Sequence, residues 1–529
     1  MANVIKYSTG NVSLESLRRG NTVLGIGNEN YGPTSTTGFV NGVDVPDGGY
    51  VVYQLHSTSP AAYIANNDNE LIAIARTLGN SGTTVASAKE YLANNSNTWI
   101  LDVMPDDIVT EEIRLNVDTS IMTSYPGSGA EWNDMSGFNN NFPISNVDWT
   151  GRALLFNGVN SGAQSSISSY NPDSGDSTMC VVFKCDNLGA GEQAIFSDNY
   201  GPEYGLWIHT NGNLRFVAYA SVYATIDEGR WYHAVLTIRP GANRSSTDQT
   251  YIQAYLNGNL VGESNANTGN GMNDQPFSFG FDYKSGNSSR WFNGEIAAAQ
   301  VYYGRLTQDQ VSQNYYGGPI VTRGIQQHYD FHNIICYDGV GGIPGAVDVY
   351  NMVTGEPAAI RNTNNGISFR QAQGYMRWDG TTTANINIPD TGGMAEFTLS
   401  VWVFNEQGGN SRHSILRNFW EIVGTSVAFW SYSFDNDYWR QSSSGLVPYN
   451  EWTHVTTSWD GERVRHYING ELVYTQPSPS GGTSESMYQI GGYSGRMFYG
   501  RIGILSIYEQ CLSLEEISQN YNAHVSRFH

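Results

Sequence analysis

The chain has 529 residues, which is enough for about three domains of ordinary size. Its formal net charge of -22, from 49 acidic and 27 basic residues, argues against a nucleic-acid partner, because phosphate-binding surfaces are built from clustered lysine and arginine. Only 14% of the residues are charged, 13% are aromatic and 59 residues are glycine, a balance that favours β-sandwiches over helical bundles.

The N-terminal part of the chain divides into two predicted regions. Residues 1–45 are rich in glycine, asparagine and hydroxyl side chains and poor in apolar ones, which indicates an extended arm that becomes ordered against a partner. Residues 46–110 are predicted to form a small α/β module. Its predicted elements are strands at 50–55 and 61–65, a helix at 70–78 that ends at Gly79, a short helix from Thr84, and a strand at 99–103.

Neither a leader nor a membrane span is expected from the sequence. The chain opens without a basic segment followed by an apolar run, and no run approaches the ~20 apolar residues of a span. Cys180 and Cys185 are expected on opposite faces of one strand. Cys336 and Cys511 lie where a disulfide could form, but buried free thiols are favoured for all four. We therefore expect a soluble protein made in a reducing cytoplasm.

One motif occurs twice along the rest of the chain, at residues 231–261 and again at residues 452–473. In each copy a Trp-x-His run leads to an apolar run that turns through Asn-Gly, at Asn257 and at Asn469. A two-residue type I′ turn needs positive φ at both positions, which Asn and Gly tolerate best. Each copy is therefore predicted to be an antiparallel hairpin.

Further landmarks flank both hairpins in the same order. They are, in the first and second copy, 155–158 and 377–380, 291–296 and 497–502, and 312–315 and 518–521. Each copy also ends with the spacing of a capping box, first Thr307 with Gln310 and then Ser513 with Glu516, which predicts a terminal helix. Length changes are confined to polar stretches, so the pattern indicates an internal duplication of one β domain.

Together with the loop Trp-Asn-Asp-x-Ser-Gly at 132–137, these motifs resemble the laminin-G-like, concanavalin-A-like lectin/glucanase family over about four-fifths of the chain. The resemblance implies a mainly β protein with two tandem jelly-roll sandwiches, at residues 113–318 and 325–529. In the second copy, residues 347–351 replace the Trp-Asn-Asp-x-Ser-Gly loop. A function carried by that loop is therefore expected only in the first copy.

A small α/β unit ahead of such sandwiches resembles virion appendage and decoration proteins of tailed bacteriophages. This resemblance implies a non-enzymatic virion structural protein of the tail, neck or head, made in the host cytoplasm. It would attach to other virion proteins through residues 1–110, assemble as a homo-oligomer in the particle, and project sandwiches with weak adhesion to a surface glycan. The alternatives are a soluble carbohydrate-binding lectin and a glycoside hydrolase of the same superfamily.

Hydrolysis is not expected, because the family's glucanases use carboxylates spaced along one strand as Glu-x-Asp-x-x-Glu, and this chain has no such run. Glu295 and Glu471 are single acids without a partner two or four residues on. His233 and His454 follow a tryptophan in equivalent strands and lack a nearby ligand or carboxylate. We interpret both histidines as structural, with their ring nitrogens satisfied within the fold.

Two kinds of ligand remain open from the sequence. Calcium takes six to eight oxygen ligands in proteins, although oxygen-rich loops are equally what soluble turns are made of. Sugar binding needs exposed aromatic faces, although most aromatics pack in cores. The calcium candidates are Asp118, Asn133, Asp134 and Asn139. The sugar-binding candidates are Tyr200, Tyr204, Trp207, Trp430, Tyr432 and Trp439. No other cofactor is expected.

Overall fold

The computed structural model describes most of the chain. The residues outside its description are 1–2, 7–49, 55–60, 66–67, 78, 80, 82–87, 89–90, 92–97, 103–107, 122–123, 166–174, 198–203, 241–248, 268–275, 285–286, 340–347, 363–365, 371–373, 381–383, 407–411, 418, 432–437, 478–486, 493–495 and 529. In some strands, including those that hold Trp430 and Trp439, it describes the backbone alone. Among the described residues, no helix is both long and apolar enough to cross a membrane.

The N-terminal module contains a four-stranded antiparallel sheet in the order β1-β4-β2-β3. Its elements are β1 (Asn3–Lys6), β2 (Tyr50–Gln54), β3 (Ala61–Ala65), α1 (Asp68–Thr77) and β4 (Thr98–Asp102). The predicted strands and first helix are confirmed within two residues, and Gly79 follows the helix with φ of 113°. Most of the predicted arm and of the second helix lies outside the described residues.

The first sandwich contains strands β5 to β22 and one terminal helix. They are β5 (Ile113–Asp118), β6 (Glu131–Trp132), β7 (Phe142–Ser145), β8 (Asp148–Trp149), β9 (Leu154–Asn157), β10 (Gly162–Gln164), β11 (Ser177–Cys185), β12 (Gln193–Ser197), β13 (Tyr204–Ile208), β14 (Leu214–Ala218), β15 (Ala220–Ala224), β16 (Trp231–Arg239), β17 (Gln249–Leu256), β18 (Asn259–Asn267), β19 (Ser278–Phe279), β20 (Asp282–Lys284), β21 (Asn287–Ser289), β22 (Asn293–Tyr302) and α2 (Gln308–Tyr316).

Two antiparallel sheets face each other in this sandwich. The β13 sheet has the order β15-β14-β13-β12-β19-β10-β7-β6, and the β16 sheet has the order β18-β17-β16-β11-β22-β9-β8, with β5 paired to β22. Alternate residues of each strand point inward, so Phe183 of the β16 sheet and Phe196 of the β13 sheet belong to one buried core. Trp207, Ala194 and Val217 form a separate small cluster on the outer face of the β13 sheet.

The second sandwich contains strands β23 to β38 and a longer terminal helix. They are β23 (Ile325–Asp330), β24 (Asp348–Tyr350), β25 (Pro357–Asn362), β26 (Ile367–Arg370), β27 (Tyr375–Asp379), β28 (Ala384–Asn387), β29 (Phe397–Asn405), β30 (Arg412–Leu416), β31 (Trp420–Val423), β32 (Ser426–Ser431), β33 (Tyr438–Gln441), β34 (Trp452–Trp459), β35 (Arg463–Ile468), β36 (Glu471–Pro477), β37 (Gln489–Ile490), β38 (Tyr499–Tyr508) and α3 (Leu514–Phe528).

Its two sheets repeat the arrangement of the first sandwich. The β31 sheet has the order β24-β25-β28-β37-β30-β31-β32-β33, and the β34 sheet has the order β26-β27-β38-β29-β34-β35-β36, with β23 paired to β38. Phe397 of β29 packs against Phe429 of β32 at 5.5 Å between ring centroids, which places the core between the sheets. The prediction of a mainly β protein with two tandem sandwiches is confirmed.

The terminal helices begin as the sequence predicts. Thr307 and Gln310 each bind the backbone N–H of the other, and Ser513 and Glu516 do the same at the start of α3. Residues Glu111–Tyr315 form one compact unit, while Tyr316–His529 belong to a second that also includes Met1–Thr110. The stretch 316–321 is therefore part of the second unit. The sequence predicts the first sandwich to extend to residue 318, so residues 316–318 lie in the other unit than expected.

This stretch is held by helix α3. The Arg527 Nη2 donates to the Gly317 carbonyl at 3.0 Å, the Gln519 Nε2 donates to the Pro319 carbonyl at 2.7 Å, and the Val321 N–H donates to the Asn520 Oδ1 at 2.8 Å. Each bond satisfies a backbone group that would otherwise need water.

All four cysteines are free thiols, as predicted, but only three of them are buried, because Cys511 is half-buried. Cys185 belongs to the core and Cys180 does not, which agrees with their expected positions on opposite faces of β11. Burial raises the pKa of Cys185 to about 11, so this thiol stays protonated and unreactive at neutral pH.

Candidate functional site

The outer face of the β31 sheet carries a buried carboxylate held by two arginines. Glu421 of β31 is 1% exposed, and it accepts from Arg412 at 2.7 Å and from Arg496 at 3.1 Å. Glu421 is directly opposite Ala428 and so lies on the face away from Phe429 and the core. The two arginines are about a third exposed, so a ligand on this face would meet their guanidinium groups first.

Two of the predicted sugar-binding aromatics come together beside this cluster. Trp430 of β32 and Trp439 of β33 are directly opposite each other in the antiparallel pair. This pair lies two residues along the strands from the pair of Ala428 and Gln441. Strand alternation places both on the outer face with Glu421, although nine residues separate them in the chain. Tyr432 lies outside the described residues. The register thus puts two tryptophan positions and two arginines on one face of the sheet.

The equivalent face of the first sandwich is built differently. The Ala194 N–H donates to the Arg290 carbonyl and the Ser414 N–H to the Arg496 carbonyl, so Arg290 and Arg496 occupy matching positions. Arg290 binds Glu192 at 2.9 Å and the fully buried Asp282 at 2.5 Å. Both sandwiches therefore keep an arginine–carboxylate group at the same place in the fold.

The predicted aromatics of the first sandwich are buried. Trp207 lies on the outer face at 1% exposure, with the Arg290 guanidinium 5.6 Å from its ring centroid. Tyr204 is 2% exposed and packs edge-on against Tyr219. Sugar stacking on Trp207 would require the outer face to open, whereas Tyr204 belongs to the core between the sheets, and the sugar-binding role of both rings stays a prediction. Tyr200 lies outside the described residues.

The sequence analysis missed the charged groups of both faces. The signal was present, because Arg412 and Glu421 are isolated charges in short strands that are otherwise uncharged. A lone charge in a half-buried strand usually needs a partner on a neighbouring strand, since an unpaired buried charge is costly. The partner Arg496 is 75 residues from Glu421 and could not be chosen from spacing alone.

The predicted calcium residues surround one loop, in which Asp134 has an evident structural role. Its Oδ1 accepts from the N–H groups of Asn116 and Ser136, and its Oδ2 accepts from the Ser136 hydroxyl and the Asn140 N–H. These four bonds engage the lone pairs that a cation would need. Asp118 accepts from the Ser120 N–H.

The other two candidates add little to a cation site. Asn133 is half-buried, and exposed Asn139 adopts a φ of 56° in the loop. Among the described residues, no group of three or more His, Cys, Asp or Glu side chains could hold a metal ion. Calcium binding at this loop stays untested, and the engaged carboxylate of Asp134 leads us to expect no cation there.

The second sandwich keeps this loop with a different residue at its centre. The Asn351 Oδ1 accepts from the N–H groups of His328 and Val353, as Asp134 accepts from those of Asn116 and Ser136. Met352 also donates its N–H to the His328 carbonyl, which repeats the bond from Met135 to Asn116. Residues 347–351 replace the Trp-Asn-Asp-x-Ser-Gly sequence, as expected, but Asn351 keeps the backbone bonds of the loop, because a neutral amide can organise the same turn as a carboxylate.

His233 and His454 are buried, and the two copies differ in how their rings are satisfied. The His454 Nε2 lies 2.7 Å from the Ser400 hydroxyl, whereas neither ring nitrogen of His233 has a hydrogen-bond partner among the described residues. The strand pairing places Cys180 of the first copy at the position that Ser400 has in the second. His233 therefore lacks the hydroxyl group that His454 bonds. Burial lowers the pKa of His233 to about 4 and of His454 to about 3. The predicted satisfaction of both ring nitrogens was wrong in both copies, because the His454 Nδ1 also has no hydrogen-bond partner among the described residues.

The fold and the outer-face clusters define a tandem lectin-type β-sandwich protein. A family model described as the concanavalin A-like lectin/glucanases superfamily matches residues 157–312 and 379–518, which is more than half of the chain. The protein belongs to this superfamily. No curated protein matches the chain.

Several solved structures are similar in part. A Trypanosoma rangeli sialidase mutant displaying trans-sialidase activity is 19% identical over 40% of this chain and 33% of its own, with a TM-score of 0.32. Domain 4 of AbnA, an extracellular arabinanase from Geobacillus stearothermophilus in complex with arabinotriose, is 15% identical over 39% of this chain and 98% of its own, with a TM-score of 0.27. The chain spans about a third of the sialidase, and these likenesses concern the fold alone.

Proposed function

We propose that the second sandwich binds glycans through the outer face of the β31 sheet, without catalysis. The observation that carries this proposal is the direct pairing of Trp430 and Trp439 on the face that holds Arg412, Glu421 and Arg496. Aromatic faces beside fixed hydrogen-bonding groups are what recognition of a sugar ring requires.

Each part of this face has a defined task in binding. The tryptophans supply flat apolar area against the C–H face of a sugar ring at a low cost in side-chain entropy. Glu421 holds both guanidinium groups in place, so their remaining N–H donors meet hydroxyl or carboxylate oxygens with little further ordering.

The state of the buried carboxylates supports a binding role over hydrolysis. A glycosidase needs a carboxyl group that can protonate the leaving oxygen, paired with a second carboxylate across the bond. Glu421 is held by two arginines, and so is Glu406, which Arg377 and Arg501 contact at 2.7 and 2.8 Å. Burial raises the pKa of Glu406, but the bonds from both arginines outweigh this effect and leave the pKa below its usual value. Glu406 is therefore a poor proton donor.

A glycan array with the full-length protein tests the proposal. Trp439→Ala should weaken binding to any retained glycan by at least about tenfold, because a stacking surface is lost. Tyr449→Ala is the matched control, since this ring is 36% exposed on the same sandwich. Binding that is equal in both variants would refute the assignment of this face. Release of reducing ends from β-glucans, galactans or bacterial surface polysaccharides would refute the absence of catalysis.

The predicted virion role is a second candidate. In this proposal residues 1–110 attach the protein to other virion proteins as a homo-oligomer, and the sandwiches carry the adhesive faces. The described part of the module, a four-stranded sheet with helix α1, is small enough that docking would help to bury its apolar surface. Deletion of residues 1–110 should leave two folded sandwiches that no longer join a particle. Normal incorporation of the truncated protein would contradict this role.

A further inference from the structure

An exposed tyrosine stands at the free edge of the β13 sheet in the first sandwich. Tyr223 of the edge strand β15 is 46% exposed, and the His209 ring lies perpendicular to it with 5.3 Å between the ring centroids. Arg215, the residue directly opposite Tyr223 on β14, is tied to Ser221 at 3.1 Å. The His209 ring covers part of the tyrosine ring, and nearly half of the Tyr223 side chain remains exposed.

The turn after β13 fixes the position of His209. The His209 N–H donates to the Asn213 carbonyl, and the Gly212 N–H donates back to the His209 carbonyl, both at 2.8 Å. The Asn211 Oδ1 accepts from the Asn213 N–H and lies 3.1 Å from the His209 Nδ1. In the described part of the chain, no hydrogen bond uses the Asn211 Nδ2 or the His209 Nε2. Both polar atoms therefore remain available to a ligand.

A shallow depression of about 440 Å³ is lined by residues that are close to these two rings in the chain. Thr210 follows His209 in its wall, and Thr225 lies two residues beyond Tyr223. Its lining residues are Leu188, Gly189, Thr210, Asn211, Gly212, Asn213, Thr225 and Ile226. None of these side chains is charged, and they combine an apolar base with hydroxyl and amide groups. This composition suits a neutral polyol and offers no cation to a phosphate or carboxylate.

Among its described residues, the second sandwich has no equivalent of this arrangement. Its β31 and β32 are joined by two residues, Gly424 and Thr425, where the first sandwich has the five-residue turn 209–213. The register also places Gln441 where the first sandwich has Tyr223. The depression and its two rings are therefore particular to the first copy.

We propose that this edge of the first sandwich is a binding site for a neutral saccharide, separate from the face around Trp430 and Trp439. The sugar ring stacks on the open part of Tyr223, and its hydroxyls bind the His209 Nε2 and the Asn211 amide. The depression takes the adjoining hydroxymethyl group or sugar unit. The turn already holds His209 and Asn211 in position, which limits the ordering cost of binding.

The test uses the full-length protein in a background that lacks the other proposed site. The Trp430→Ala/Trp439→Ala variant is applied to an array of neutral and acidic oligosaccharides, and the strongest neutral ligand is then titrated calorimetrically. Adding Tyr223→Ala or His209→Ala should lower that affinity about tenfold, and Tyr223→Phe should retain most of it. Adding Tyr303→Ala is the control, because this ring is 40% exposed elsewhere on the same sandwich.

The outcomes separate the two sites. Neutral-glycan binding that survives the tryptophan changes and is lost with Tyr223→Ala supports the edge site. A blank array for the tryptophan variant, with binding by the unchanged protein, overturns the edge site and leaves the proposed function intact. Equal affinity of the Tyr223→Ala, His209→Ala and Tyr303→Ala variants also overturns it. Thermal unfolding of each variant checks that the sandwich remains folded.

Discussion

Asn257 and His233 are joined by two hydrogen bonds that fasten the Asn-Gly turn to the neighbouring strand. The Asn257 Oδ1 accepts from the His233 N–H at 3.0 Å, and the Asn257 N–H donates to the His233 carbonyl at 2.8 Å. Asn469 and His454 repeat both bonds at 2.9 and 2.8 Å. Both asparagines have positive φ, at 49° and 50°, which this residue type tolerates. In both copies the Trp-x-His motif and the Asn-Gly motif are thus joined by the same pair of hydrogen bonds.

In each copy the terminal helix packs against this hydrogen-bonded turn and histidine. A Cβ atom on Gly258 would lie 3.0 Å from the Tyr315 ring, and one on Gly470 would lie 3.3 Å from the Tyr521 ring. The Tyr315 ring stacks on the buried His233, and the Tyr521 ring packs against the buried His454 with an interplanar angle of 37°. Each helix also donates an asparagine amide at 3.0 Å to a tyrosine hydroxyl on the central strand. The landmarks that reveal the duplication therefore meet where the helix packs on the sandwich.

The first prediction concerns the turn at Asn469. Asn469→Gly keeps the positive φ but removes the bond to the His454 N–H, so it should lower the free energy of unfolding by about 1–3 kcal/mol. Asn469→Ala should cost about 1 kcal/mol more, because alanine disfavours this conformation. Urea denaturation measures both. The exposed Asn259→Gly serves as the control, and equal stability of all three variants would contradict the structural role.

The second prediction concerns the buried pair of Asp330 and Arg527. Their side chains are 1% and 11% exposed and 2.7 Å apart. Burial raises the pKa of Asp330, but the positive charges around it, Arg527 first and then His332, His524 and His328, together outweigh this effect and leave the pKa at about 2. Arg527→Met should lower the free energy of unfolding by about 3–5 kcal/mol, since it leaves a buried charge unpaired.

A matched pair and a double variant check this result. Adding Asp330→Asn to Arg527→Met should recover much of the loss, because the buried charge is then removed as well. Arg323→Met breaks an ion pair with Glu516 in which the arginine is 59% exposed, and it should cost under about 1 kcal/mol. If Arg527→Met cost no more than Arg323→Met, the pair would not stabilise the fold.

The third prediction concerns acid stability. Burial lowers the pKa of His328 to about 4 and of His466 to about 3, as it does for His233 and His454. The unfolded chain takes up protons near its ordinary histidine pKa of about 6.5, while the folded chain does not, so stability should fall as pH drops from there towards 4. Thermal unfolding between about pH 7.5 and about pH 4.5 measures this fall.

A variant identifies the source of the acid effect. His454→Gln should reduce the slope of the unfolding midpoint against pH in that window, because one protonating group is removed from the unfolded state. Because the pKa of Asp330 is about 2, its protonation changes stability only at more acid pH. It does not alter the comparison of His454→Gln with the unchanged protein in this window. A midpoint that stays constant down to pH 4.5 would contradict the prediction.

The fourth prediction concerns the loop around Asp134. Asp134→Ala should lower the free energy of unfolding by about 1–3 kcal/mol or more, since it leaves several N–H groups without an acceptor. Because the carboxylate oxygens are already engaged, removing calcium with a chelator should leave the thermal midpoint of the unchanged protein where it was. A lower midpoint after chelation, restored by calcium, would instead establish a cation site.

The sequence by itself determined the features that depend on neighbours a few residues apart. The Asn-Gly turns, the capping boxes at Thr307 and Ser513, helix α1 with its glycine stop, and the order of landmarks in both copies follow from local backbone preferences. These preferences act within one turn of chain, so spacing is enough to identify them. Because the landmarks occur in both copies, the same fold class was predicted for both sandwiches.

Only the tertiary structure decided which side chains are covered and which are paired. Alternation along a strand shows that two residues share a face, but burial depends on what a distant segment places over that face. Trp207 is covered and Tyr223 is exposed although both lie on neighbouring parts of one sheet. Glu421 meets Arg496 across 75 residues, and Asn351 replaces Asp134 at the centre of the same loop. These relationships arise when the sheets pack, because only then do residues that are distant in the chain come into contact.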